Sequence, residues 1–178
     1  IAVGKGANYF GLAQSATKVI GDFFVNAGSS FSFNFMTELN LIAASDNPKT
    51  EKASARGNVS FLLLDITDKA NQRLLDFFTV SGQVNSVDNK DFLKFEKSPN
   101  VNITQNLRKS YFGDNEEFDL ARVNGSVQRS FTTPTALTLI QVQTNEATVS
   151  TPEPSSTLAL LILGGLSSIG LKISRQVG

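Results

Sequence analysis

Hydrophobic and polar residues alternate along most of the chain between residues 17 and 150. In the segment SFSFNF, Phe31, Phe33 and Phe35 are separated by single polar residues. In an extended strand they would lie on one face, with the polar residues on the other. The segment GNVSFLLLDI repeats the pattern. Because a spacing of two recurs more often than the spacing of three or four that is typical of a helix, this region is predicted to form β-strands.

These strands predict a mainly β fold. About seven or eight alternating segments are separated by Gly, Asn, Asp and Ser, which favours an antiparallel β-sandwich or a jelly-roll-like fold. Asn124-Gly125 predicts a two-residue hairpin turn between Phe118 and Phe131. Fourteen phenylalanines and no tryptophan predict a phenylalanine-filled interior between two sheets. The alternative use of aromatic residues, an exposed platform for sugars, would rest on Tyr9 and Tyr111.

The chain divides into three parts. Residues 1–16, IAVGKGANYFGLAQSA, are small and apolar and could form an edge strand of their own domain or a strand donated to a neighbouring molecule. Residues 17–150 are predicted to form the β-sandwich domain, and residues 151–178 form a tail. Within this organisation, DNPKTEKASAR at residues 46–56 is predicted to be a surface loop, and residues 145–156 a polar spacer.

The tail contains a long stretch without charge. Residues 154–171, PSSTLALLILGGLSSIGL, would span roughly 27 Å as a helix, close to the hydrocarbon thickness of a bilayer. Lys172 and Arg175 follow as a basic stop, which predicts a transmembrane-type helix with the body outside the cytoplasm. The competing interpretation is a buried core helix. The apolar residues of the predicted membrane segment are Leu158, Leu160, Leu161, Ile162, Leu163, Leu166, Ile169 and Leu171.

A specific motif precedes this stretch. Pro152-Glu153-Pro154 is followed by Ser155, Ser156 and Thr157, then by the Leu/Ala/Gly-rich span and the basic end. This order resembles the PEP-CTERM sorting signal, although the basic end is sparser than the arginine cluster frequent in that family. The resemblance covers residues 152–178. It implies export, handling by an exosortase-type enzyme of the membrane, and a source among Gram-negative bacteria, cyanobacteria included, that make an extracellular polymeric matrix.

Composition excludes several kinds of chemistry. The chain has no histidine and no cysteine, so Ser-His-Asp and Cys-His mechanisms and thiolate metal sites are excluded. Sixteen basic and sixteen acidic residues give a net charge near zero, which argues against nucleic acid as a partner. The chain opens at Ile1, which we interpret as removal of a secretory signal peptide, with a cloned or proteolysed fragment as the alternative.

Carboxylates are the remaining candidates for chemistry. Paired carboxylates can hydrolyse glycosides, and a solvated turn is the competing interpretation of each group. Calcium would use the same oxygens together with asparagine, again with solvated turns as the alternative. The glycosidase candidates are Asp65, Asp68, Asp114, Glu116, Glu117 and Asp119. The calcium candidates are Asp114, Asn115 and Glu116, with Asp88, Asn89 and Asp91 as a second loop.

These observations lead to a functional expectation. We expect a non-catalytic, exported cell-surface or extracellular-matrix protein with a structural or adhesive role, self-assembling into a polymer or filament. Transient anchoring in the inner membrane would precede its release to the surface. The alternative is a glycan-binding β-sandwich module of the matrix, with a polysaccharide as partner. Apart from calcium, no cofactor is expected.

Overall fold

The structure is a computed structural model that describes residues 9–47, 49–87, 91–113 and 116–151, with the side chain of Phe112 outside that description. Most of these residues lie in strands, and none of them lies in a helix. The mainly β fold predicted from the sequence is confirmed. The strands are β1 (Phe10–Val25), β2 (Ser30–Ala44), β3 (Lys52–Asp65), β4 (Arg73–Asn85), β5 (Phe92–Lys97), β6 (Val101–Phe112), β7 (Glu116–Ser130) and β8 (Thr135–Ser150).

The strands form two antiparallel sheets. The five-stranded sheet has the order β1-β8-β3-β4-β5, and the three-stranded sheet has the order β2-β7-β6. The chain passes from β1 to β2 through a turn in which Gly28 has a φ of 75°, a left-handed conformation that glycine adopts without steric cost. The Gly28 amide donates to the Phe131 carbonyl, so this turn is tied to the end of β7. The two antiparallel sheets predicted from the sequence are confirmed.

The interior between the sheets is packed with phenylalanine. Phe35 of the three-stranded sheet contacts Phe61 and Phe78 of the five-stranded sheet, with ring centroids 5.1 Å and 4.9 Å apart. Each large ring buried in such a contact removes an apolar surface from water, which is the main favourable term in folding. The core therefore lies between β2 and the paired strands β3 and β4.

The three-stranded sheet covers only part of the five-stranded sheet. Val19, Gln141, Phe61 and Phe78 form one row across β1, β8, β3 and β4 on the core-facing side. Phe78 is 2% exposed and Phe61 7%, whereas Val19 is 56% exposed. We call β3 and β4 the covered half, and β1 and β8 the open half. Only at the end of the open half near Val25 does the three-stranded sheet reach β1.

The predicted hairpin at Asn124-Gly125 is wrong. β7 runs without interruption from Glu116 to Ser130, pairing with β2 on one side and β6 on the other. A Cβ on Gly125 would lie 2.6 Å from Phe35 Cζ and 2.8 Å from the Asn102 carbonyl oxygen. Gly125 is therefore required by close packing under the Phe35 ring, and not by the conformation of a turn.

Two predicted polar connections are partly strand. β3 begins at Lys52, within the predicted loop 46–56, and β8 continues to Ser150, within the predicted spacer 145–156. In KASAR, Ala53 and Ala55 face the interior while the longer polar residues face outward. Alanine is a weak marker of alternation, so the strand pattern was hidden by polar composition.

The segment boundary at residue 16 lies inside β1, which is the edge strand of the five-stranded sheet. Residues 1–8 lie outside the described residues. The sorting motif, the predicted membrane segment, and Lys172 and Arg175 also lie outside them, since residues 152–178 are not described. Among the residues that are described, no helix is long and apolar enough to cross a membrane.

Candidate functional site on the open half of the five-stranded sheet

β1 is a long edge strand with an apolar surface. It pairs with β8 over residues 10–25, and within the described residues no strand pairs with its other edge. Side chains on both faces are exposed, because the three-stranded sheet does not extend over most of β1. Long, apolar and unpaired edges favour pairing with another chain. The exposed large apolar residues of β1 are Phe10, Leu12, Val19, Ile20, Phe23 and Phe24.

The outward face of the five-stranded sheet carries a shallow groove of about 550 Å³. It crosses the sheet from Gln14 on β1, past Arg56 on β3 and Gln83 on β4, to Phe92 on β5. Phe92 is 46% exposed, so one face of its ring is accessible at the end of the groove. We call this surface the outer groove.

A charged hydrogen-bond network occupies the middle of the outer groove. Glu146 Oε2 accepts hydrogen bonds from Arg56 Nη2 at 2.8 Å and from Gln14 Nε2 at 2.6 Å. The bonds from Arg56 and Gln14 hold the pKa of Glu146 below its ordinary value of 4.5. Glu146 is therefore ionised at neutral pH and holds polar donors from two strands, Gln14 of β1 and Arg56 of β3.

A second groove, of about 610 Å³, lies on the other side of the open half. It separates the edge of β2, at residues 40–44, from the core-facing side of β1, β8 and β3. Alanines line much of this inner groove: Ala13, Ala43, Ala44, Ala53, Ala55 and Ala147. The two grooves lie on opposite faces of β1, β8 and β3, and only the inner groove lies on the side where the three-stranded sheet leaves these strands uncovered.

The two tyrosines considered for sugar binding lie apart. Tyr9, just before β1, donates its hydroxyl to Glu51 Oε1 at 2.5 Å. This bond raises the pKa of Tyr9 to about 12 and lowers that of Glu51. Tyr111 is exposed on β6, in the other sheet. Neither tyrosine lines the outer groove.

Of the two predicted calcium loops, the structure describes only Asp91 and Glu116, and Glu117, which follows Glu116, lies near Asp91. The Asn85 amide donates to Asp91 Oδ1 at 2.8 Å and to Glu117 Oε2 at 3.2 Å, so a carboxylate of the β4–β5 connection meets one at the start of β7. Glu116 is exposed, while Asp88, Asn89, Asp114 and Asn115 lie outside the described residues. In the described part of the chain, no group of three or more acidic side chains converges as metal ligands would.

The remaining carboxylates have structural partners. Asp65 and Asp68 accept backbone amides two residues on, from Thr67 and Ala70, and the pKa of each is lowered. For Asp65 the hydrogen bonds from Thr67 are the main cause, and for Asp68 it is the bond from Asn71. Asp119 is buried on β7, where Ser110 donates to it at 2.8 Å. These geometries are those of turns and of a sheet interior.

Sequence reasoning missed the residues of the outer groove. Arg56 falls in the predicted loop 46–56 and Glu146 in the predicted spacer 145–156, and no motif singles out Phe92. Their proximity depends on the order β1-β8-β3-β4-β5, which pairs residues distant in the chain. The only signal in the sequence was the alternation of small and polar residues on β3 and β8.

No protein-family model and no curated protein matches the chain. Among solved structures, the tailspike protein of Acinetobacter phage vB_ApiP_P1 is similar at 13% identity and a TM-score of 0.20, over 71% of this chain and 20% of that chain. The tailspike protein of Acinetobacter baumannii phage AM24 is similar at 6% identity and a TM-score of 0.19, over 70% of this chain and 27% of that chain. This chain thus spans about a fifth to a quarter of the length of those proteins, and likenesses of this degree carry no argument about function.

Proposed function

We propose that this protein is an exported, non-catalytic component of a bacterial cell surface or extracellular matrix, with a structural or adhesive role exerted through self-association. Its tail acts as a PEP-CTERM sorting signal that is handled by an exosortase-type enzyme after transient anchoring in the inner membrane. The body, residues 10–151, is the part that works outside the cell.

The observation that carries this proposal is the edge of β1. Soluble proteins blunt long strand edges with charge, bulges or short length. β1 has 16 residues, six large apolar side chains exposed, and only two charged residues, Lys18 and Asp22. Such an edge favours association between chains, which a matrix protein requires and a monomeric enzyme does not.

The finer fold assignment, a jelly roll ending in a membrane-type helix, belongs to the same proposal. Support for the jelly roll comes from pairing of the first strand with the last and of the second with the second to last. Support for the helix comes from the uncharged stretch 154–171.

The proposal is tested in a matrix-forming Gram-negative host that has an exosortase. The wild-type chain should reach the surface fraction as high-mass assemblies, whereas simultaneous Pro152→Ala, Glu153→Ala and Pro154→Ala should retain it in the membrane fraction. Ser155→Ala, next to the motif, is the matched control and should behave as wild type. Equal surface delivery of the triple variant would contradict the sorting role, and exclusively monomeric wild type at the surface would contradict the structural role.

A glycan-binding module is the second candidate, and the outer groove favours it. The Gln14–Glu146–Arg56 network offers planar polar groups that can bind sugar hydroxyls, and Phe92 offers an apolar ring face at the end of the groove. A combination of a few placed polar groups with aromatic surface is typical of small-molecule sites.

A binding assay with matrix polysaccharide distinguishes the glycan-binding module from the structural protein proposed above. Phe92→Ala and Glu146→Gln should each weaken binding about tenfold or more, while Tyr111→Ala on the other sheet should not change it. Absence of binding across a broad panel of glycans would exclude the module. Loss of binding on calcium chelation would support the calcium site expected from the sequence at Asp114, Asn115 and Glu116.

A further inference from the structure

The two edges of the five-stranded sheet differ in how well they resist pairing. β5 has six residues, of which Lys94, Glu96 and Lys97 are charged, and Lys94 forms an ion pair with Glu96. β1 is nearly three times as long and carries no bulge in its pairing with β8. Short, charged edges resist added strands and long, regular ones accept them. The sheet can therefore grow at β1 and not at β5.

Among the described residues, nothing obstructs the approach to most of β1. β2 packs on β3 and β4, and Val19 is more than half exposed although it faces the core side. A second strand could lie beside most of β1 without meeting the three-stranded sheet, which reaches β1 near Val25. At the edge of β2, by contrast, an added strand would have to enter the inner groove.

Geometry restricts how β1 can pair with β1 of a second copy. In an antiparallel ladder, alternate residues direct their N–H and C=O groups toward one neighbour, so every other residue of β1 points to the open edge. When two copies of β1 pair, the residues that point to the open edge in one copy must lie opposite the residues that point to it in the other copy. A two-fold axis between the strands therefore passes through a residue position, and not midway between two residues.

Charge selects one of these axes. With the axis at Ile20, Lys18 of each copy faces Asp22 of the other, which forms two opposite-charge pairs. An axis at residue 18 or 22 places Lys18 opposite Lys18 or Asp22 opposite Asp22. An axis at 19 or 21 places each charge opposite an alanine, isoleucine or phenylalanine.

With the axis at Ile20, the side chains that face each other across the interface also match in size. Ile20 faces Ile20, Ala16 faces Phe24, and Val19 faces Gly21. Ile20, Phe24 and Val19 are all more than half exposed in the single chain. Asp22 Oδ1 accepts a hydrogen bond from Thr138 of β8 at 2.6 Å. Within the described residues Lys18 forms no ion pair that would compete with Asp22 of a second copy.

We propose that two copies of this chain associate through antiparallel pairing of β1 with β1, with Ile20 on the two-fold axis, so that their five-stranded sheets become continuous. This interface rests on the self-association proposed above and specifies its first step. The opposite-charge pairs Lys18–Asp22 set the register, and the apolar residues on either side supply the buried surface.

Disulfide trapping tests the register, since the chain has no cysteine of its own. In the full-length chain in mild detergent, Ile20→Cys should form a disulfide-linked dimer under mild oxidation. Met36→Cys, on the edge strand β2 and more exposed than Ile20, is the control for random collision and should link at least tenfold more slowly. Ala16→Cys and Phe24→Cys should each remain unlinked, because identical residues would lie roughly 27 Å apart, and a mixture of the two should link.

Charge variants supply a second test. Lys18→Glu and Asp22→Lys should each weaken dimerisation about tenfold, because each places two like-charge pairs across the axis. An equal mixture of the two variants restores both opposite-charge pairs and should recover the wild-type affinity. Circular dichroism of each variant establishes that loss of association is not loss of folding.

The outcomes separate this interface from the proposed function. Wild-type association, with fast linkage of the Met36→Cys variant and none of the Ile20→Cys variant, would overturn the interface and leave self-association intact, with β2 as the pairing edge. A wild-type chain that stays monomeric in detergent and on the cell surface would overturn both. If added polysaccharide protected the β1 amides from hydrogen exchange and the Ile20→Cys variant formed no disulfide, the edge of β1 would bind a glycan. That result would also overturn the interface.

Discussion

The covered and open halves of the five-stranded sheet have the same strand pairing but differ in the packing of their side chains. In the row Val19, Gln141, Phe61 and Phe78, all four residues face the same side of the five-stranded sheet. The first two lie where no second sheet packs, and the last two lie in the aromatic core. Backbone pairing is continuous across the row, and only the packing of side chains changes. Stability is therefore concentrated in β3 and β4, while β1 keeps an exposed apolar surface that the proposed association would use.

Matched phenylalanine variants should show the largest difference between the halves. Phe78→Ala should lower the free energy of unfolding by about 3–5 kcal/mol, because the ring is 2% exposed and leaves a cavity beside Phe35 and Phe61. Phe24→Ala, at 69% exposure on β1, should change it by less than about 1 kcal/mol. Urea unfolding of both variants at low protein concentration measures the difference. Similar losses for both would mean that the open half is buried in the single chain.

The ion pair between the sheets should have the next largest effect. Arg129 Nε of β7 lies 2.9 Å from Asp76 Oδ2 of β4, and Asp76 is buried. Arg129→Met should cost about 3 kcal/mol, because the buried Asp76 would lose its charged partner and retain only the hydrogen bond from Ser98. Arg122→Met, also on β7 but paired with the exposed Glu38, should cost less than about 1 kcal/mol. A small effect at Arg129 would indicate that the sheets are held by apolar packing without this ion pair.

Glycine-to-alanine variants should show a smaller difference in stability between the core and the open half. Gly125→Ala should destabilise by about 1–3 kcal/mol, because the added Cβ meets the Phe35 ring and a backbone carbonyl. Gly21→Ala on β1 should change stability by less than about 0.5 kcal/mol, since its Cβ would meet only the exposed Phe23 ring at 3.2 Å. Thermal unfolding measures both. A stable Gly125→Ala variant would show that β2 and β7 can separate at this point.

The smallest expected effect concerns the contact that ties the start of β1 to the β2–β3 connection. Because the pKa of Tyr9 is raised from 10.0 to about 12, its contribution to stability is complete below pH 10 and is lost as the pH rises from 10 to 12. The pKa of Glu51 is lowered below 4.5, so its contribution is lost as the pH falls below that value. The wild type should therefore lose more Tm between pH 9 and pH 11 than Tyr9→Phe. Equal losses would mean that the hydroxyl does not bond to Glu51 in solution.

The sequence predicted the class of fold but not the uneven cover of its sheets. Alternation at Phe31, Phe33 and Phe35 identified the core side of β2, because large apolar residues at spacing two have one favourable arrangement. Alternation within a strand does not predict the order of the strands or how one sheet packs on the other. The exposure of Val19 and the position of Phe92 and Arg56 in one groove could therefore not be predicted. At Gly125 a local turn preference was overridden by packing against Phe35.

The proposed sorting tail rests on a different kind of sequence signal. Its signal is carried by residue types and their order in 152–178, and it does not depend on how the body folds. The proposed association edge depends on topology, because the position of β1 at the end of the sheet order leaves its apolar residues exposed.

Hydrogen exchange of the full-length chain at low and high protein concentration tests most directly whether the open half is the association surface. Amides of β1 that point away from β8 should become protected as the concentration rises, while the exposed edge of β5 should exchange at the same rate at both concentrations. Protection that spreads evenly over both edges, or that arises at β5 with β1 unchanged, would contradict association through the open half.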